Sequence, residues 1–261
     1  QRQMCIRDRI TRQLLEVGGF GKVIVNSADY ADVKVFTVCF LRALRQGKRF
    51  LFRSAAAVTK VLGGIADRPL LTRAELVPRE NCNGGIVLIG SHVNKTTQQM
   101  EELRRCRYPL EFLEFNQHLV LQPGGLEGEV IRVVELAQQM IRQGQSVVIY
   151  TRRDRLDLPT ADPDRQLEIS VQISEAVTSI IGRLEIRPNF IIAKGGITSS
   201  DVGIKALRVH RATVMGQLKP GIPVWMTGPE SKFPGMPYVI FPGNVGEKET
   251  LRQAVELLMG S

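Results

Sequence analysis

Two kinds of apolar pattern alternate along the chain. Short apolar runs, such as Gly85-Ile-Val-Leu-Ile-Gly90, have the length and composition of buried strands in a parallel sheet. Longer stretches, such as residues 127–142, repeat apolar residues every three or four positions, which is the spacing of a helix with one buried face. Strands that alternate with long helices predict an α/β fold with mostly parallel sheets and helices on both faces.

The pattern also divides the chain into two predicted domains. Residues 66–84 are rich in Pro, Arg and Asn-Gly and form the best candidate linker. We expect residues 10–80 to be a truncated first domain and residues 84–261 to be the second. Residues 1–9 lack a clear amphipathic period and resemble read-through from a sequencing adapter, so they are expected to be a non-native leader.

The predicted elements differ between the two domains. The first contains strands at 23–25 and 49–53 and helices at 31–46 and 55–62. The second contains strands at 85–90, 110–115, 146–150, 190–193, 213–215, 224–226 and 238–241, helices at 94–105, 127–142, 167–184 and 248–258, and a loop at 152–165. Asn94 or Thr96 is expected to cap the helix that runs to residue 105.

The composition is that of an ordinary globular protein, with 43% apolar and 23% charged residues. Its apolar runs have strand length, so we expect no transmembrane helix, and no secretory signal is visible. Four cysteines lie far apart without the paired spacing of a zinc site, which favours free thiols in the cytoplasm.

The net charge of +9 has two explanations. Four arginines and one aspartate within the first twelve residues account for +3 of it, and no nucleic-acid motif occurs. A basic balance also suits a protein whose ligands are anions. We therefore expect small anionic ligands, with neither nucleic acid nor membrane as a partner.

A glycine pair follows the predicted strand at 190–193. In Gly195-Gly-Ile-Thr198 the glycines allow close approach of the backbone to an anion. Thr198 and the free amides of the first helical turn can then point at it. A plain strand-to-helix turn has the same pattern, but the order of strand, glycine turn and helix favours a phosphate site.

Two further turns follow predicted strands in the same way. Gly90-Ser-His-Val-Asn-Lys-Thr-Thr97 lacks the second glycine of a Walker A motif, so Ser91 either contacts a nucleotide or merely precedes a helix cap. In Phe241-Pro-Gly-Asn-Val-Gly246, Gly243 allows close approach of a base or ribose, or forms a plain turn. Three such turns in one predicted domain favour a shared ligand site.

Other polar residues carry weaker signals. Arg53 and Ser54 end a predicted strand, where an arginine fork suits a carboxylate and a surface arginine is equally compatible. His92 is expected to be a structural or rim histidine. The aspartates of the loop are more typical of a solvated segment than of a metal site, and they are Asp154, Asp157, Asp162 and Asp164.

Four motifs in order resemble the four-carbon acid sugar kinase family from about residue 20 to the end. They are Gly90-Ser-His, Gly195-Gly-Ile-Thr-Ser-Ser200, Pro220-Gly-Ile-Pro-Val-Trp225 and Phe241-Pro-Gly-Asn-Val-Gly246. The resemblance implies an ATP-dependent kinase of a threonate, erythronate or oxo-tetronate type acid, with an N-terminal sugar-acid domain, a C-terminal nucleotide domain and a homodimeric state.

The resemblance also implies roles for individual residues. Arg53 and Ser54 would line the sugar-acid cleft. The residues that would contact ATP, which is used with Mg²⁺, are Ser91, Gly195, Gly196, Ile197, Thr198 and Gly243.

One family feature has no counterpart in the chain. The family's opening strand, with paired aspartates and a Phe-Thr-Gly turn, is where the acceptor hydroxyl would be held and deprotonated. No catalytic residue is therefore assigned, and the chain could bind nucleotide without activity. The main alternative is a non-catalytic nucleotide or metabolite sensor; a nucleic-acid-binding module, whose affinity would fall steeply with salt, is a third.

Overall fold

A computed structural model describes residues 2–77, 81–90, 92–154, 156, 158 and 162–260. The chain divides into two compact units, Gln1–Arg68 and Pro69–Ser261. The division falls inside the predicted linker at 66–84. Among the described residues, no helix is long and apolar enough to cross a membrane.

The first unit is helical in its described part. It contains helices α1 (Arg2–Glu16), α2 (Tyr30–Arg45) and α3 (Ala56–Leu62). Residues 2–9, which the sequence sets apart as a leader, form the first half of α1. The α2 helix begins where the Asp29 carboxylate accepts hydrogen bonds from the amides of the first turn. A small core joins α1 to α2 through Leu14, Cys39, Phe40 and Ala43.

The two strands predicted for this unit are not formed. Residues 23–25 and 49–53 lie in segments without strand pairing. Their side chains are open to solvent, with Ile24 86% and Leu51 101% exposed. A strand is stabilised by ladder hydrogen bonds to a neighbour. Within the described part of this unit, neither segment has such a neighbour.

The second unit contains one seven-stranded sheet with the strand order β2-β3-β1-β4-β7-β6-β5. Pairing is parallel from β2 to β7, and β6 and β5 continue the sheet as antiparallel strands. The strands are β1 (Ile86–Ile89), β2 (Leu110–Phe115), β3 (Ser146–Thr151), β4 (Ile191–Lys194), β5 (Ala212–Lys219), β6 (Ile222–Thr227) and β7 (Pro237–Phe241). The predicted α/β class and mostly parallel sheet are confirmed.

Helices cover this sheet. They are α4 (Arg73–Leu76), α5 (Asn94–Leu103), α6 (Gly125–Arg142), α7 (Pro163–Arg183), α8 (Gly196–Asp201) and α9 (Thr250–Met259), with a 3₁₀ turn at Gln117–Leu121 and a π-helical turn at Val202–Ala206.

Two details of the predicted helices are wrong. The N-cap of α5 is Val93, which makes no side-chain cap, and Thr96 is instead buried. The predicted loop at 152–165 also ends early, because the Asp162 side chain accepts from the Asp164 amide and starts α7 with a proline in its first turn.

Apolar residues pack on both faces of the sheet because side chains alternate along each strand. Ile86 and Leu88 of β1 face a core shared with α6 and α7. Val87 and Ile89 face a second core shared with α5 and α9. The π-helical turn at Val202–Ala206 packs with α6 and α7. The chain therefore leaves β4 towards one face of the sheet and leaves its neighbours β1 and β7 towards the other.

Candidate functional site

The three glycine turns lie side by side at the carboxyl edge of the sheet. β4 pairs with β1 on one side and with β7 on the other, and Ile89, Lys194 and Phe241 are partners in register. The turns therefore begin at the same height. The chain leaves β1 and β7 towards α5 and α9 and leaves β4 towards the other face. Such a divergence opens a crevice where α/β proteins bind ligands.

The turn after β4 has the geometry expected of an anion site. Gly195 has φ +128°, a region that favours glycine, and its amide donates to Phe241 O at 2.9 Å. The first i→i−4 bond of α8 runs from the Ser199 amide to Gly195 O. The amides of residues 196–198 therefore have no acceptor within the helix. A Cβ added to Gly196 would meet no atom within 4 Å, so the space beside this turn is open.

The turn after β1 packs directly on α8. A Cβ at residue 90 would overlap Thr198 Oγ1, so only glycine allows this approach. The contact places the Thr198 side chain beside the end of β1. Ser91, the predicted nucleotide contact in this turn, lies outside the described residues.

A tyrosine hydroxyl explains the π-helical turn that follows α8. Tyr238 of β7 donates to Ser199 O at 2.5 Å. The backbone amide of Gly203 also faces this hydroxyl and acts to lower its pKa. The hydroxyl thus takes the place of the Gly203-to-Ser199 bond of an α-helix, and insertion of a polar group into this ladder is a known cause of helix distortion. Burial raises the pKa of Tyr238, which keeps the hydroxyl protonated as a donor.

The turn after β7 is held by side chains that lie behind it. Gln99 of α5 donates to Val245 O at 3.1 Å and to Glu247 O at 2.9 Å. Thr96 and Lys95 reach Gly243 O and Asn244 O at 3.5 Å, which makes these contacts weak. Gly243 thus lies at the carboxyl edge of the sheet, and its contact with a nucleotide stays a prediction.

Lys194 is the residue of this edge that the sequence predictions missed. Its side chain is fully buried, and Nζ donates to Pro242 O at 2.7 Å and to Gly243 O at 3.0 Å. Nζ also lies 4.4 Å from the centre of the Phe241 ring. Desolvation lowers the pKa of Lys194 to about 8, and the nearby charge of Lys95 acts in the same direction. A lysine that directly precedes a Gly-Gly pair was the available signal.

A cavity of about 360 Å³, separate from the three glycine turns, lies at the ends of β1 and β3. His92, Gln117 and Arg153 contribute polar groups, and α7 contributes apolar ones. His92 Nε2 lies 3.3 Å from Thr151 Oγ1, and desolvation lowers the pKa of this histidine, with a further contribution from Arg153. The lowered pKa favours the neutral ring, and its position at a cavity rim agrees with the prediction for His92.

The remaining predicted residues lie elsewhere. Arg53 and Ser54 belong to the first unit, in an exposed segment without regular structure, and their role stays a prediction. Asp157 lies outside the described residues. In the part of the chain that the structure describes, no three His, Cys, Asp or Glu side chains form a group that could hold a metal ion.

A family comparison identifies the fold. The model of the nucleotide-binding C-terminal domain matches residues 86–251, which is more than half of the chain and includes all three glycine turns. The chain belongs to the four-carbon acid sugar kinase family. Among curated proteins, no significant match is found.

Three solved structures have a similar fold and belong to proteins that are longer than this chain. A Salmonella typhimurium LT2 protein, provisionally described as a tRNA synthase, is 16% identical with a TM-score of 0.64, over 96% of this chain and 56% of its own. A Haemophilus influenzae protein of the DUF1537 family is 19% identical with a TM-score of 0.56, over 98% and 57%. A Bordetella bronchiseptica protein with a DUF1537 domain, a domain-swapped dimer with bound citrate, is 18% identical with a TM-score of 0.51, over 96% and 57%. The chain spans little more than half the length of these proteins.

Titration of Lys194 is expected to make stability depend on pH. Its pKa is about 8 in the folded protein and 10.5 when unperturbed. The unfolded chain therefore binds more protons between these values, and the free energy of unfolding rises with pH there. The Lys194→Met variant lacks this titration. At about 1.4 kcal/mol per pKa unit, the free energy of unfolding of the wild type should rise by at most about 3 kcal/mol relative to that of the variant.

Urea unfolding monitored by the single tryptophan, Trp225 of β6, measures this difference between pH 7.5 and 10.5. The variant shares every other titrating group with the wild type. If the difference in free energy of unfolding between the two proteins stays constant over this pH range, the lowered pKa of Lys194 is contradicted.

Proposed function

We propose that the chain forms the nucleotide-binding part of an ATP-dependent kinase that phosphorylates a four-carbon sugar acid. The observation that carries the proposal is the match of the nucleotide-binding domain over the same residues that build the carboxyl-edge crevice. The open space beside Gly196 and the unpaired amides at the start of α8 suit a phosphate group.

Within this proposal, the turn Gly195-Gly-Ile-Thr198 receives the phosphates of ATP. The amides of residues 196–198 and the Thr198 hydroxyl would donate to phosphate oxygens. Ser91 and Gly243 would contact the same nucleotide from the turns on either side. Lys95 and Lys194 add positive charge to this edge, which favours an anionic ligand.

Phosphoryl transfer depends mainly on positioning and on stabilisation of negative charge. The crevice would hold the γ-phosphate against rigid strand ends, so that an acceptor hydroxyl can approach in line. Among the described residues, no three His, Cys, Asp or Glu side chains form a group that could hold Mg²⁺. Mg²⁺ therefore stays a predicted companion of ATP, and no step is assigned to it or to a catalytic base.

The acceptor is proposed to be a small hydroxy acid. Citrate, bound in the Bordetella bronchiseptica structure, is a small carboxylic acid with a hydroxyl group. Arg53 could pair with such a carboxylate through its planar fork, and Ser54 could donate to it. The same structure is a dimer, which supports a homodimer here. We place the activity in the cytoplasm, where free thiols such as Cys39 persist.

Gly196→Val tests the proposed phosphate contact. A Cβ at this position meets no atom within 4 Å outside the neighbouring backbone, so we expect the fold to be unaffected while the phosphate is displaced. Calorimetry should show ATP affinity reduced at least tenfold, about 1.4 kcal/mol. Gly128→Val in α6 is the matched control, because its side chain also enters open space in a helix away from the crevice. Equal ATP affinity in all three proteins would refute the contact.

ADP release distinguishes the kinase from a non-catalytic sensor. With ATP and Mg²⁺ present, we expect threonate or erythronate to stimulate ADP release at least tenfold over ATP alone. Acetate, a monocarboxylate like the sugar acids but without a hydroxyl group, serves as the control for a general salt effect. ATP binding without stimulation by either sugar acid would assign the chain to the sensor alternative.

A further inference from the structure

Five backbone carbonyls after β7 point at side chains behind the turn. Lys194 holds the carbonyls of Pro242 and Gly243, and Gln99 holds those of Val245 and Glu247. Lys95 approaches Asn244 O more loosely at 3.5 Å. The inner side of this turn is therefore lined by donors from β4 and α5.

The orientation of the carbonyls also fixes the orientation of the amides. In a trans peptide the N–H points away from the C=O of the same plane, and no cis peptide occurs in the described chain. The amides of residues 243 and 244 therefore face away from Lys194. In the described part of the chain the amides of residues 243 and 244 have no hydrogen-bond acceptor, and these two residues form a turn that directs the Val245 amide towards Pro242 O. Successive amides on one side of a turn form a concave donor set for anions.

Lys194 links this turn to the one after β4. It directly precedes Gly195, whose amide donates to Phe241 O at 2.9 Å. The side chain of Lys194 donates to the next two carbonyls of the turn after β7, those of Pro242 and Gly243. The two glycine turns are thus fixed to each other by three hydrogen bonds from two consecutive residues.

A lysine is a costly choice for a purely structural contact. Its ammonium is fully buried and, among the described residues, pairs with no carboxylate. Burial of an uncompensated charge opposes folding, and an uncharged amide such as that of Gln99 can hold two carbonyls at a lower cost. A positive charge at this point becomes favourable when an anion occupies the adjacent crevice.

We propose that Lys194 is a positioning residue of the nucleotide site. By holding the carbonyls of Pro242 and Gly243 inward, it presents the amides of residues 243 and 244 to the crevice as donors to the nucleotide. This inference rests on the proposed function, since it assumes that the crevice binds ATP.

Lys194→Met tests the proposal, because methionine keeps the length and apolar stem of the side chain and removes the donors and charge. Calorimetry should show ATP affinity reduced at least tenfold without a fall in the melting temperature. A crystal structure of the variant should show the peptide planes at 242–244 reoriented. Gln99→Leu is the second variant. It should weaken ATP binding because it removes the donor that holds the carbonyls of Val245 and Glu247.

Thr227→Val is the matched control for loss of a buried polar contact. Thr227 Oγ1 donates to Phe233 O and accepts from the Met236 amide at the opposite edge of the sheet. This variant should lower the melting temperature and keep wild-type ATP affinity. A loss of affinity that follows melting temperature across the variants would show a structural role and overturn the proposal.

The remaining outcomes separate this inference from the proposed function. If the wild type binds ATP and Lys194→Met binds it equally well, Lys194 does not position the site and the proposed function stands. If the wild type binds no ATP, the proposed function fails and the inference fails with it.

Discussion

Parallel pairing of β4 with β1 and β7 is the constraint on which the candidate site depends. The register aligns Ile89, Lys194 and Phe241, so three turns separated widely in sequence begin at one level. Because helices α5 and α9 cover one face and α6 and α7 the other, the loops diverge above these strands. The crevice is therefore a consequence of sheet topology before any side chain is considered.

Close approach of the backbone then shapes the crevice. Gly90 lets β1 end against Thr198, and Gly195 adopts a backbone conformation that favours glycine. Hydrogen bonds from buried side chains hold the remaining backbone. The Tyr238 hydroxyl donates to Ser199 O, where the helix becomes π-helical. Lys194 holds the carbonyls after β7 inward. These contacts leave amides facing the open side, where a phosphate can replace the water that solvates them.

Strands with a largely apolar sequence were predicted almost to the residue, and these include β1 and β3. Such segments are buried on both faces, so composition alone determines their structure. β5 is longer than predicted, because it is an edge strand with exposed residues such as Val214. The strands predicted at 23–25 and 49–53 failed because strand formation requires a partner that local sequence does not specify.

The site was predictable at the level of its glycine turns and not at the level of the groups that hold them. Lys194 is a charged residue whose burial depends on carbonyls 48 and 49 positions away. The π-helical turn depends on the hydroxyl of Tyr238, which lies 39 positions from Ser199. Only the register of the sheet brings these groups together, so a local pattern gives no sign of them.

The most direct test of the account is a titration of the isotope-labelled chain with ATP, followed through its backbone amide resonances by NMR. The account predicts that the largest shifts occur in residues 195–198 and 243–246, and that the β5–β6 hairpin at the far edge of the sheet changes little. Shifts centred on the cavity beside His92 and Arg153, or no shifts at all, would contradict the claim that the edge formed by β1, β4 and β7 binds the nucleotide.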